Sequence, residues 1–106
     1  MRAGKLDSTI QIQRPFETVN SYGAFNVTWE TMATLRAEII EERTEEVDRD
    51  PGTAGQRFVT FRMRFREGVS LGDRILFDGE IYDLKSVTEI GRRSGLDVRA
   101  KYRGNV

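Results

Sequence analysis

The chain has 106 residues, a formal net charge of zero and neither histidine nor cysteine. That length predicts a single domain over residues 1–106, and the two missing residue types exclude disulfides, thiolate or imidazole metal sites and a Ser-His-Asp triad. We therefore expect a protein that is not an enzyme and holds no cofactor, and the neutral total argues against one that coats nucleic acid by bulk electrostatics.

The first half of the chain predicts short strands, because its apolar residues recur with a period of two. Ile10 and Ile12 alternate with polar residues in a strand that we expect to stop at Pro15. The run Ser21-Tyr22-Gly23 then marks a turn. One or two further strands follow, with apolar residues at Val27, Trp29, Leu35, Ala37 and Ile39.

The second half contains the clearest strand of the sequence, over residues 58–66. Its alternation is typical of a half-buried strand that is polar on its solvent side. One face carries Val59, Phe61, Met63 and Phe65, and the other carries Phe58, Thr60, Arg62, Arg64 and Arg66.

Two more predicted strands flank Asp78-Gly79. This dipeptide favours a type I′ hairpin turn, because that turn needs positive φ at both central positions. A loop over residues 91–95 precedes a last strand over residues 96–102. Together these strands and turns predict a mostly β fold, a small antiparallel β-barrel or sandwich.

The segment over about residues 41–57 breaks this pattern, and we expect a long charged loop there. Between Glu41 and Gln56 the apolar side chains are Val47 and Ala54 alone. Connections of this length are usually functional or disordered, and residues 41–48 could form one short helix before Pro51 ends it. A divalent-cation site is an alternative reading of the acids, but their spacing does not match a calcium loop, which favours a solvated charged loop.

Arginine is concentrated on the solvent face of the strand at residues 58–66. Arg62, Arg64 and Arg66 form a ladder there, and a second basic stretch runs over residues 92–103. An ordinary solvated face is one interpretation, and a nucleic-acid-binding barrel surface, with few aromatics for base stacking, is another. In a third, basic stretches of one copy meet the acidic segment of the next head to tail, as in ring-forming interfaces.

Three stretches of the chain match, in order, the motifs of a known family. The first is residues 1–6 followed by residues 10–15, and the second is Tyr22-Gly23 followed by Trp29 and Ala37. The third comprises residues 65–69, 73–75, 79–84 and 86–87. On these motifs the sequence resembles the phage head–tail joining proteins, also called head-closure or stopper proteins, although Arg36 stands where the family often has an aromatic residue.

The resemblance implies a structural virion protein of a tailed phage or prophage. It implies a small β-barrel that assembles as a ring, of six or twelve copies, closing the DNA-filled head and connecting it to the tail. The implied partners are copies of the chain, portal or adaptor proteins and tail proteins. DNA would pass through the channel without sequence-specific binding, and no membrane is involved. The implied location is the virion, after assembly in the host bacterial cytoplasm.

Two alternatives to a stopper stay open at this point. One is a neighbouring tail-completion ring protein, and the other is a small β-barrel nucleic-acid-binding module that uses the arginine ladder. The module would bind short single strands with a strong salt dependence.

The resemblance also implies which residues carry the function, because in some members a long loop enters the channel and blocks DNA exit. An acidic channel lining would repel phosphates and let DNA slide. The candidate channel loop here comprises Glu41, Glu42, Glu45, Glu46, Asp48, Asp50, Gly52 and Gly55. The candidate interface with a neighbouring subunit or the adaptor comprises Arg57, Arg62, Arg64, Arg66, Arg99 and Lys101.

Overall fold

The alternating sequence folds into six strands. The computed structural model describes residues 6–45 and 55–106, and no helix within them is long and apolar enough to cross a membrane. In chain order the strands are β1 (Ser8–Val19), β2 (Phe25–Glu45), β3 (Gln56–Arg64), β4 (Arg74–Phe77), β5 (Glu80–Ile90) and β6 (Gly95–Asn105).

The strands form one antiparallel sheet that closes on itself in the order β1-β2-β3-β6-β5-β4. Closure is made by a short ladder, in which Gln11, Ile12 and Gln13 pair with residues 74–76 of β4. A closed sheet leaves few free edges within the barrel. The prediction of a mostly β, antiparallel barrel or sandwich is therefore confirmed.

The inward-facing residues of the alternating strands fill the barrel. The predicted inner face of β3 is confirmed for Val59, Phe61 and Met63, which are all buried. The predicted end of the strand is wrong, because β3 ends at Arg64 and Phe65 and Arg66 lie beyond it. Phe61 packs edge-to-face against Phe77 and Tyr82, with ring centroids 5.8 and 5.5 Å apart. The remaining core residues are Ile10, Ile12, Ala37, Ile75, Leu84, Leu96, Val98 and Ala100.

The predicted Asp-Gly turn is confirmed between β4 and β5. Asp78 and Gly79 have φ angles of 51° and 76°, which are the positive values that a type I′ turn requires at both central positions. The predicted loop before the last strand is also a turn, in which the amide of Ser94 donates to the carbonyl of Ile90 at 3.1 Å. Gly95 already belongs to β6.

The prediction that the first strand stops at Pro15 is wrong. β1 continues to Val19, and Pro15 lies opposite Trp29 of β2. Beyond Gln13, β1 has a strand partner on one side only among residues 6–45 and 55–106. The missing N–H of Pro15 is tolerated on such an edge, where no second ladder needs it.

β2 is one strand of 21 residues where the sequence indicated one or two. Two bulges divide it, because the register skips Met32 opposite β1 and Ile40 opposite β3. Each bulge moves the following residues to the other face of the sheet. The alternation of inward and outward residues therefore shifts by one residue at each bulge. For this reason the sequence pattern does not indicate one continuous strand.

The expected loop over about residues 41–57 is too long, and the short helix is wrong for its described part. Residues 41–45 continue β2 and pair with residues 56–60 of β3. The acids are accommodated because the ladder to β3 satisfies their backbone groups while Glu41 and Glu42 stay exposed. Gly55 is exposed just before β3, and the candidate channel residues Glu46, Asp48, Asp50 and Gly52 lie outside the described residues.

The start of β2 and the end of β1 extend beyond the barrel as a two-stranded hairpin, here called the hairpin arm (residues 14–31). Pairing of β1 with β4 ends at Gln13, and pairing of β2 with β3 begins at Ala37. Between these limits, within the described part of the chain, the two strands pair only with each other. The predicted turn at its tip is confirmed, because the amide of Gly23 donates to the carbonyl of Asn20 at 3.0 Å.

Candidate protein-interaction surfaces

One face of the hairpin arm, here called its apolar face, carries Val19, Phe25 and Val27 beside Glu17, and it is open to solvent. It continues the outer face of the barrel, with Val19 opposite Phe25 and Glu17 opposite Val27. Phe25 is 73%, Val19 61% and Val27 53% exposed. Tyr22, at the tip, is 93% exposed. The alternation predicts that Val27 lies in a strand but does not reveal this surface, because a core strand and an exposed apolar strand have the same alternation.

The outer side of the arm is held at its base by a stack between two strands. The guanidinium of Arg74 lies 4.1 Å from the centroid of the Trp29 ring, and its Nε donates to Gln13 Oε1 at 2.8 Å. Burial, with a smaller contribution from Arg103, lowers the pKa of Arg74. The stack fixes Trp29, and with it the direction in which β2 leaves the barrel.

The inner side of the arm is held by an ion pair. Arg14 donates Nε and Nη2 to the two carboxylate oxygens of Asp73 at 2.9 and 3.1 Å, and it also donates to the carbonyl of Gly68. Asp73 is 2% exposed and accepts the amide of Ser70 at 3.0 Å. The hydrogen bond to Asp73 raises the pKa of Arg14. Contacts on both faces therefore fix the arm to β4 and to the loop before it.

Two of the candidate interface arginines are engaged within the chain. Arg62 makes a bidentate pair with Asp97, at 2.8 and 2.9 Å, and the hydrogen bond raises the pKa of Arg62. Arg57 bonds Glu80 Oε1 at 3.1 Å and the hydroxyl of Tyr82. Burial raises the pKa of Tyr82 to about 12. These two arginines therefore connect β3 to β6 and to β5, respectively.

The other candidate cations remain on the outer surface. The guanidinium of Arg99 lies 4.2 Å from the centroid of the Phe58 ring, and Lys101 is half-buried opposite Phe58. Arg64 and Arg66 are exposed where β3 ends. These last two line a cavity of about 280 Å³ between β2 and the end of β3, together with Arg36.

The acidic residues of β2 do not form a metal site within the described residues. Glu41 lies opposite Thr60 and Glu42 opposite Val59, so the two neighbouring carboxylates point to different faces of the sheet. In residues 6–45 and 55–106, no three acidic side chains are close enough to hold a metal ion. The described acids give the far end of β2 a negative charge.

The fold and these surfaces define a small antiparallel barrel with an arm that is held at its base and has exposed apolar side chains. The chain matches the family described as phage head completion protein over residues 1–103, and it belongs to that family. It is therefore a phage structural protein with a role in head completion, which confirms the family assigned from the sequence motifs.

Solved structures with similar folds include two that cover nearly the whole chain. One is the solution structure of protein SF1141 from Shigella flexneri 2a, with 21% identity, a TM-score of 0.68 and 96% of each chain covered. The other is a chain in the virion of a native gene transfer agent particle, with 15% identity, a TM-score of 0.71 and 94% of each chain covered. A search of curated proteins finds no match.

Proposed function

We propose that the protein is a head–tail joining subunit of the stopper type. Copies form a closed ring that seals the DNA-filled head and connects it to the tail. In this proposal the protein is a virion component, assembled in the host bacterial cytoplasm, and it has no enzymatic activity. Membership of the head completion family supports this role, as does the likeness in fold to a chain of a virion particle.

The observation that carries the proposal is the apolar face of the hairpin arm. Soluble monomers rarely expose a contiguous apolar strip of this kind, and such strips mark interfaces. Phe25, Val27 and Val19 lie side by side on that face. The contacts at Trp29 and Arg14 hold the arm in place before binding, so little ordering entropy is lost on assembly.

The acidic end of β2 supports the channel part of the proposal. Glu41 and Glu42 are exposed near the end of β2 that lies away from the arm. If this end and the segment that follows it line the channel, DNA meets like charge and is not held by phosphate contacts. DNA would then pass without sequence-specific binding.

A nucleic-acid-binding module is the weaker reading of the arginine ladder. Arg62 is bonded to Asp97, and Phe58 lies under the guanidinium of Arg99. Base stacking needs a free aromatic face, which this strand face does not offer. Electron microscopy of the protein mixed with portal–adaptor complexes separates the two functions: a stopper adds a closed ring of density, whereas a nucleic-acid module adds none.

A further inference from the structure

At the base of the arm the barrel wall opens along the seam where β2 and β3 separate. Their ladder begins at Ala37 opposite Met63. Residues 25–36 of β2 pair with β1 on one side and, within the described residues, with no strand on the other. The backbone groups along this free edge can pair with an incoming strand, as in recognition by strand addition.

Three arginines surround this seam, which we call the arginine groove. Continuing the β2–β3 register by one residue would place Arg36 directly opposite Arg64, and like charges in that relation repel. Arg36 donates to the hydroxyl of Thr9 at 3.1 Å. Within residues 6–45 and 55–106, Arg64 and Arg66 form no ion pair. The positive charge of the groove is therefore largely uncompensated.

The floor of the arginine groove is apolar. Leu6, Leu35 and Phe65 line the same cavity of about 280 Å³ as the three arginines. That volume suits one or two amino-acid side chains rather than a drug-sized ligand. An apolar floor beneath a cationic rim, beside a free strand edge, suits an extended peptide with both acidic and apolar side chains.

We propose that the arginine groove binds an extended acidic segment of another head–tail protein by adding it as a strand beside β2. Successive side chains of a strand point to opposite faces, so the sequence acid–apolar–acid places carboxylates against Arg36 and Arg64 and an apolar side chain on the floor. The charge of the groove selects an acidic segment, and the bidentate geometry of arginine favours carboxylate. This inference rests on the proposed function, because it assigns a partner to the surface of the ring subunit.

The test uses a synthetic seven-residue peptide of alternating aspartate and leucine, capped at both ends, with isotope-labelled full-length protein. We expect shifts of the amide signals of Thr34, Leu35 and Arg36, and slower hydrogen exchange along that edge. The charge reversal Arg64→Glu should weaken binding by at least about tenfold. The matched control is Arg92→Glu, in the exposed turn before β6, which should bind as the unaltered protein does.

The inference is overturned if the peptide does not bind, if a peptide with lysine in place of each aspartate binds equally, or if Arg64→Glu changes nothing. It is also overturned if the groove is occupied by a second copy, which sedimentation would reveal as self-association that Arg64→Glu abolishes. The proposed function fails separately. A ring on portal–adaptor complexes without peptide binding rejects the groove alone, and peptide binding without a ring rejects the stopper role.

Discussion

Arg14 and Asp73 form a two-point ion pair, at 2.9 and 3.1 Å, that joins the base of the hairpin arm to the loop before β4. The two residues are 59 positions apart in sequence. The Asp73 carboxylate is nearly inaccessible to solvent and accepts hydrogen bonds from Arg14 and from the amide of Ser70. The pair therefore sets the position of the arm as well as contributing to the fold.

Replacing Asp73 should destabilise the protein and loosen the arm. Asp73→Ala removes hydrogen bonds to Arg14 and Ser70, and we expect the free energy of unfolding to fall by about 2–3 kcal/mol. Chemical denaturation measures this loss, and hydrogen exchange of residues 14–31 measures the loosening. Glu67→Ala is the control, since Glu67 pairs with Arg93 in solvent and should cost nothing measurable. Equal losses in the two variants would contradict the assigned role of Asp73.

The apolar face of the arm should be needed for assembly and not for folding. In the double variant Phe25→Ser, Val27→Ser, we expect an unchanged thermal midpoint, because both side chains are already largely exposed, and loss of binding to portal–adaptor complexes. Co-sedimentation measures the binding. Asn26→Ser, on the opposite face of the same strand, should bind normally. Unimpaired binding of the double variant would remove the arm from the interface.

Stability should decrease at high pH through Tyr82. Burial raises the pKa of Tyr82 from 10.0 to about 12, so the folded state holds the phenol proton more tightly than the unfolded state does. The stabilisation is complete below pH 10 and is lost as pH rises towards 12, by about 2–3 kcal/mol. Denaturation at successive pH values measures this fall. Tyr82→Phe should lack this component, and a parallel fall in both proteins would contradict the assignment.

The turn between β4 and β5 should require glycine at its second position. Gly79 has φ +76°, and an alanine there would be strained although no atom lies within 4 Å. We expect Gly79→Ala to lower the free energy of unfolding by about 1–2 kcal/mol. Gly72→Ala serves as the control, because Gly72 lacks a positive φ and its nearest neighbour, Ser70 Oγ, is at 4.0 Å. A larger loss at Gly72 would show that the strain argument is wrong.

The parts of the fold that the sequence predicted are those decided by neighbouring residues. The alternation around Phe61 and the Asp78-Gly79 turn depend on local period and local φ, and both are confirmed. The length of β2 depends on its partners instead. Glu41 and Glu42 are in a strand because β3 pairs with them, and Pro15 is in a strand because β1 has a free edge there.

The sequence alone predicts which residues give the surface its positive charge, but it does not predict which carboxylates these residues pair with. The arginines were identified, but Arg62 pairs with Asp97 and Arg57 with Glu80, which are 35 and 23 positions away. Residues so far apart in the sequence form no local periodic pattern, so a single sequence does not show that they pair. Arg64 and Arg66 are exposed, and their place in an interface stays a prediction. The assignment of Glu46, Asp48 and Asp50 to a channel loop stays a prediction.

Electron microscopy of portal–adaptor complexes with and without the protein tests directly whether the chain forms a closed ring on them. We expect additional density for a closed ring, with Phe25 and Val27 of each arm covered by a neighbouring chain. Portal–adaptor complexes that gain no ring, or a ring in which the apolar face of every arm remains in solvent, would contradict it.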